Sequence, residues 1–186
     1  MFNLPNILTI SRILLIPLVF STMYIDYKYI HWIACFIFAV AALTDLLDGW
    51  IARSTNQVSS YGRLLDTIAD KLLVAATILM LAATSRLSNL GLIPAVLIVC
   101  REIIVSGLHS FLAKYNTELK VTKLAKWKAV TQMIALPILI VGKDEITGFD
   151  FSHIGEIVLW FAGFLTVITG YDYLKKTTSV IMANEK

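Results

Sequence analysis

The sequence predicts an all-α integral membrane protein with six transmembrane helices. Of its 186 residues, 58% are hydrophobic and the mean hydropathy is +0.76, well above the roughly 45–50% apolar content of soluble domains. Six mostly apolar segments, at about 6–25, 30–51, 64–84, 90–113, 125–142 and 154–174, approach the roughly 20 helical residues that cross about 30 Å of hydrocarbon. Lipid offers no partner to an unpaired backbone group. Helices therefore suit these segments, and the alternating pattern of a membrane barrel is missing.

The first segment, MFNLPNILTISRILLIPLVF, is expected to be retained and not cleaved as a signal: its basic residue, Arg12, sits inside the apolar run and no small-residue cleavage pattern follows. The remaining segments are separated by IDYKY, RSTNQVSSYG, SRLSN, KYNTELKVTK and GKDEITGFDFSH. None of these suggests a second domain, so residues 1–186 are expected to form one membrane domain. Cys35 and Cys100 lie within apolar runs and are expected to be buried small hydrophobes, not a disulfide. Ala39, Ala41, Ala42, Gly163 and Gly170 would let helices two and six pack closely. Tyr171, Tyr173, Trp127 and Trp160 are expected as aromatics at the membrane interface.

Net charge is only +3, but its distribution sets an orientation. If the first segment starts inside, the outer breaks hold Lys28, Arg86 and Lys143, three of the 16 basic residues. Lysines 114, 120, 123, 126, 128, 175 and 176 crowd the other side. The positive-inside rule then puts both termini and the 52–63 loop in the cytoplasm.

The chemistry concentrates in DLLDGWIARSTNQVSSYGRLLDTIAD, residues 45–70. Asp45 and Asp48 are three apart and Asp66 and Asp70 four apart, so each pair shares one face of its helix. Consecutive antiparallel helices joined by about a dozen residues can turn the two pairs toward each other. Carboxylates at such range repel unless cations neutralise them. Oxygen clusters of this kind suit hard divalent ions such as Mg²⁺ or Mn²⁺, and two of them can stabilise charge at a phosphoryl centre. A single aspartate would more simply mark a helix end at the water interface. Four at this spacing, with Gly49, Gly62 and Arg53 among them, point to function, since ionisable residues in membranes are costly.

These residues read Asp45-x-x-Asp48-Gly49-x-x-Ala52-Arg53, then eight residues, then Gly62-x-x-x-Asp66-x-x-x-Asp70. The pattern resembles the complete signature of the CDP-alcohol phosphatidyltransferases, with every fixed position filled. The resemblance implies transfer of a phosphatidyl group from a CDP-linked lipid to an alcohol with release of CMP, in a six-helix membrane domain expected to form a homodimer. PNILTISRILLIP, LLDTIADKLLVA, REIIVSGL and KWKAVTQM resemble the bacterial members that use glycerol 3-phosphate as acceptor. The implied partners are CDP-diacylglycerol, glycerol 3-phosphate and the lipids of a bacterial inner membrane, with no nucleic acid. The resemblance also implies roles. Asp45, Asp48, Asp66 and Asp70 would hold two divalent cations, with Asp70 as general base. Gly49, Ala52, Arg53 and Gly62, together with Asp48 and Asp66, would line the CDP pocket, joined by Asn6 and Thr9 from the first helix. The chain departs from many relatives at Thr67, where they have proline, and at His109, where they have arginine.

Glycerol 3-phosphate is a dianion, so further cations are expected to receive it. Arg101 lies deep in the fourth segment, and its planar fork suits a phosphate. Lys126, Lys128 and His109 are the other candidates for this acceptor site. Each has an alternative: membrane anchoring for the lysines, an ion pair with Glu102 for Arg101, and an interfacial position for His109.

Three rival activities place different demands on the sequence. A cardiolipin synthase of the same family would take phosphatidylglycerol and need no such cation cluster. Intramembrane prenyltransferases use aspartate-rich sites without the Gly-x-x-Ala-Arg insertion. An ion transporter would explain buried carboxylates, but not their one-sided place at helix ends, and no inverted repeat is present.

Overall fold

In the computed structural model, residues 4–25, 27, 29–54, 60–113, 122–144 and 146–184 are described. They form α1 (Leu4–Met23), α2 (Ile30–Ser54), α3 (Ser60–Ala83), α4 (Leu92–Ala113), α5 (Lys123–Val141) and α6 (Ser152–Asn184). No strand occurs among them beyond an isolated bridge between Lys143 and Asp150. The all-helical expectation holds, and the helices outrun the apolar segments. α2 continues through Arg53 to Ser54, α3 begins at Ser60 and not 64, and α6 reaches Asn184, ten residues past its apolar run. Hydropathy marks the part of a helix suited to lipid, whereas backbone pairing carries the helix on into polar sequence. The break between α2 and α3 is thereby cut from about a dozen residues to five, 55–59.

α4, α5 and α6 are each long and apolar enough to cross a membrane, over Leu92–Leu112, Lys123–Val141 and Ser152–Met182, and Thr9–Met23 and Ile30–Thr44 are shorter apolar helices. The chain is accordingly a helical membrane protein. Its contacts divide it into two compact units, Met1–Leu87 with Leu136–Gly155, and Ser88–Ala135 with Glu156–Lys186.

In the first unit α1 packs against both α2 and α3. The buried residues recur at helical spacing: Ile16, Val19 and Met23 on α1, and Ala34, Phe38 and Ala41 on α2. In lipid such stripes gain little from leaving water, so close packing matters more than apolarity. At the far end of α2 from its aspartates, Trp32 Nε1 donates to Asp144 Oδ1 at 3.1 Å. The same carboxylate accepts from the amides of Ile146 (3.2 Å) and Thr147 (3.0 Å) and from the Thr147 hydroxyl (2.7 Å). Burial opposes ionisation of Asp144, but these hydrogen bonds outweigh it and hold its pKa at about 2. Arg86 Nη1 donates to the carbonyl of Ile140 at 2.6 Å and so satisfies an orphan acceptor at the end of α5. Gly142 follows with φ +59°, a left-handed helix stop.

In the second unit Gly163 does what its size suggested. A Cβ there would lie 2.7 Å from Pro94 Cβ, so glycine permits α6 to touch α4. Gly170 likewise lies beneath Arg101, whose Cγ would be 3.2 Å from an added Cβ. Glu156 accepts from the Ser88 amide (2.5 Å) and hydroxyl (2.9 Å), which fixes the turn leading into α4.

Two expectations need correction. Cys100 is exposed on α4 and Cys35 is partly exposed, and both are free thiols, because their helices turn these positions outward. Tyr173 is 3% exposed, whereas Tyr171, Trp127 and Trp160 are exposed as interface aromatics would be. Two residues along a helix change the facing direction by more than half a turn, so Tyr171 and Tyr173 cannot share a surface.

Candidate active site

The aspartate pairs fall where the segments placed them along the chain, near the C-terminal end of α2 and the N-terminal end of α3. The side chains of Asn6, Asp45, Asp48, Gly49, Ala52 and Arg53 lie outside the described residues. Asp66 and Asp70 occupy one face of α3, a helical turn apart, and both are partly exposed. Thr67 is exposed beside them. It leaves α3 unbroken where a proline would remove a backbone donor.

Arg12 of α1 meets this face. Its Nη1 donates to Asp66 Oδ1 at 3.3 Å, with the arginine side chain 0% exposed and the aspartate 47%. Thr9, one turn earlier on α1, is buried at 3%. Positions 9 and 12 lie three apart and share a face, so the side of α1 that reaches Asp66 also carries Thr9. Arg12 was not among the residues singled out for this site. Its signal was nonetheless in the sequence, as the one charged residue of α1.

The donors described here fit a hard divalent cation in kind. Asp66 and Asp70 offer carboxylate oxygens at neighbouring positions, open enough to admit an ion, and one oxygen of Asp66 takes no part in the Arg12 contact. Among the described residues no three His, Cys, Asp or Glu side chains gather around one point. Asp66 and Asp70 are two, and the remaining pair is Asp45 and Asp48.

The cations expected to receive the acceptor lie in the second unit, where three of the four form one network. Lys128, 4% exposed, donates to Glu102. Arg101 Nη1 lies 3.5 Å from the same carboxylate oxygen and its Nη2 lies 3.4 Å from Thr169 Oγ1. The Arg101 guanidinium also sits 5.4 Å from the centre of the Tyr173 ring, a cation–π contact. His109 also meets Tyr173, its ring tilted by 59° with its centre 5.4 Å from that of the tyrosine. Lys126 stands apart, exposed on α5, as a membrane-anchoring lysine would be.

The Arg101–Glu102 pairing raised as an alternative is thus present, together with Lys128. Adjacent residues on a helix point in different directions, yet Arg101 and Glu102 meet, because Glu102 Oε1 is approached by both Arg101 and Lys128. With two cations and one carboxylate, the trio keeps a formal charge of +1. Thr169 and Tyr173 were not anticipated here. Their one-turn spacing on α6 was visible, but nothing in the sequence said which helix they would face.

The sequence model of the family described as CDP-alcohol phosphatidyltransferase matches residues 2–168. A CDP-diacylglycerol–glycerol-3-phosphate 3-phosphatidyltransferase of Rickettsia bellii is 46% identical over 173 residues, which cover 93% of this chain and 94% of that protein. One of the same name from Cereibacter sphaeroides is 33% identical across 94% of this chain and 95% of its own length. A cardiolipin synthase (CMP-forming) of Oryza sativa is 39% identical across 98% of this chain but only 59% of its own. With its signature intact and nine-tenths of its length matched, the chain belongs to the CDP-alcohol phosphatidyltransferase family.

Proposed function

We propose that the protein transfers the phosphatidyl group of CDP-diacylglycerol to glycerol 3-phosphate, giving phosphatidylglycerophosphate and CMP. The observation that carries this reading is the 46% identity, over nearly the full length of both chains, to a relative named for that reaction. The acceptor-side network supports it, because Arg101 and Lys128 bring two cationic donors together at one place, and charge-assisted hydrogen bonds from such donors suit a phosphate.

Divalent cations, two Mg²⁺ or Mn²⁺ held by Asp45, Asp48, Asp66 and Asp70, would supply electrostatic stabilisation of the pyrophosphate and of the leaving nucleotide. Asp70 accepts the proton of the acceptor's 1-hydroxyl, and that oxygen forms a bond to the lipid-side phosphorus as the bond from this phosphorus to the CMP oxygen breaks. Gly49 and Gly62 leave room for the nucleotide beside the helices, with Ala52, Arg53, Asn6 and Thr9 as further lining. Arg101, Lys128 and His109 bind the acceptor phosphate, while Lys126, exposed apart from them, anchors α5.

The same reading makes residues 1–186 one catalytic domain with six spans and both termini cytoplasmic, as the lysine and arginine distribution favours. It belongs in a bacterial inner membrane, as a homodimer, where the site meets acyl chains from the bilayer and acceptor from the cytoplasm.

The likeness to a cardiolipin synthase supports a second acceptor, phosphatidylglycerol. One assay separates the two. Purified protein with CDP-diacylglycerol, Mg²⁺ or Mn²⁺ and each acceptor in turn should release CMP with glycerol 3-phosphate. Release with phosphatidylglycerol alone would replace the first reading by the second, and release with neither, or with inositol phosphate or serine, would end both.

A further inference from the structure

The contact between Arg12 and Asp66 has no place in the reaction as drawn. Arg12 is fully buried in an apolar helix, a costly position for a guanidinium unless a carboxylate compensates it. It lies 3.3 Å from one oxygen of a residue whose helix neighbour at one turn, Asp70, is also acidic. An aspartate has lone pairs on both oxygens, so Asp66 can accept from Arg12 through Oδ1 and still ligate an ion. Arginine stays charged at every physiological pH, which lysine in such a place would not.

We propose that Arg12 is a resident counter-charge for the cation site. It is a positioning residue that holds Asp66 and offsets carboxylate repulsion whenever divalent ions are absent. This rests on the reading of the aspartates as cation ligands. Without Arg12, the neighbouring carboxylates repel with no resident cation between them unless ions are bound, so the fold itself should come to depend on the metal.

The test is a thermal-unfolding series on full-length protein in detergent, with Mn²⁺ or with a chelator. Wild type should gain stability from Mn²⁺. Arg12→Gln, purified in Mn²⁺ and then chelated, should unfold at a lower Tm than chelated wild type, and its Mn²⁺-induced rise should exceed that of wild type by about 5 °C or more. Equal loss of Tm with and without Mn²⁺, or failure to recover the variant even in Mn²⁺, would make Arg12 an ordinary packing residue and overturn the proposal. Asp66→Asn gives an independent arm, in which chelated protein should also lose Tm because the buried guanidinium loses the charge of Asp66. An unchanged Tm there would again overturn it. If wild type gains nothing from Mn²⁺, it is the cation reading of the aspartates that fails.

Discussion

Lys128 and Glu102 stand 26 residues apart and form an ion pair whose side chains are 5% and 17% exposed. The ammonium is thus one that the protein keeps from water, and the loss of this carboxylate is costly. Glu102→Gln should destabilise the protein by about 1.5–3 kcal/mol, the loss of a charge-assisted hydrogen bond to the buried ammonium. Urea or thermal unfolding in detergent reads this directly. A Glu102→Gln, Lys128→Met double variant should recover most of the loss, and no recovery would mean that Glu102 matters chiefly through Arg101.

Arg101 makes three contacts at once, to Glu102, Thr169 and the face of Tyr173. Lysine keeps the charge but has no planar fork to share among them. Arg101→Lys should raise KM for glycerol 3-phosphate by roughly ten- to a hundredfold, the loss of one charge-assisted hydrogen bond or so. KM for CDP-diacylglycerol should stay near its wild-type value. An equal rise in both constants would remove Arg101 from the acceptor site.

Asp70 carries the base role in the proposed reaction. Asp70→Asn keeps size and polarity while taking away the proton acceptor, so turnover should fall by about 10²–10⁴ with the nucleotide lipid still bound in an equilibrium binding assay. Activity within tenfold of wild type would assign the base elsewhere.

Asp144 gives a pH signature unrelated to catalysis. Its pKa lies at about 2 in the folded protein against an ordinary 3.8, so the folded state favours the ionised form. That contribution is complete above the ordinary value and is lost as pH falls toward the folded one. Wild type should therefore be more stable than Asp144→Asn at neutral pH, by a margin that shrinks between about pH 4 and pH 2. A margin constant across that range in paired melting curves would show that the Thr147 and Trp32 hydrogen bonds do not depend on charge.

The helical class, the six segments and the aspartate signature all lay in the linear order of residues. Apolar runs of bilayer length and carboxylates spaced by three and four positions are local properties, fixed by helix geometry wherever the helix goes. The helix ends were less legible, since nothing in hydropathy stops a helix at Arg53 or Lys175 when the backbone can still pair. Partnership between distant residues was not legible at all. That Arg12 would meet Asp66, 54 positions later, that Lys128 would turn inward while Lys126 faces out, and that Tyr173 would lie under Arg101 and not at an interface all depend on which faces of the helices pack together. A charge in an apolar run announces from sequence that it needs a partner. Only the tertiary packing chooses it, because the partner must be both opposite in charge and within a few ångströms, and no local pattern encodes that distance.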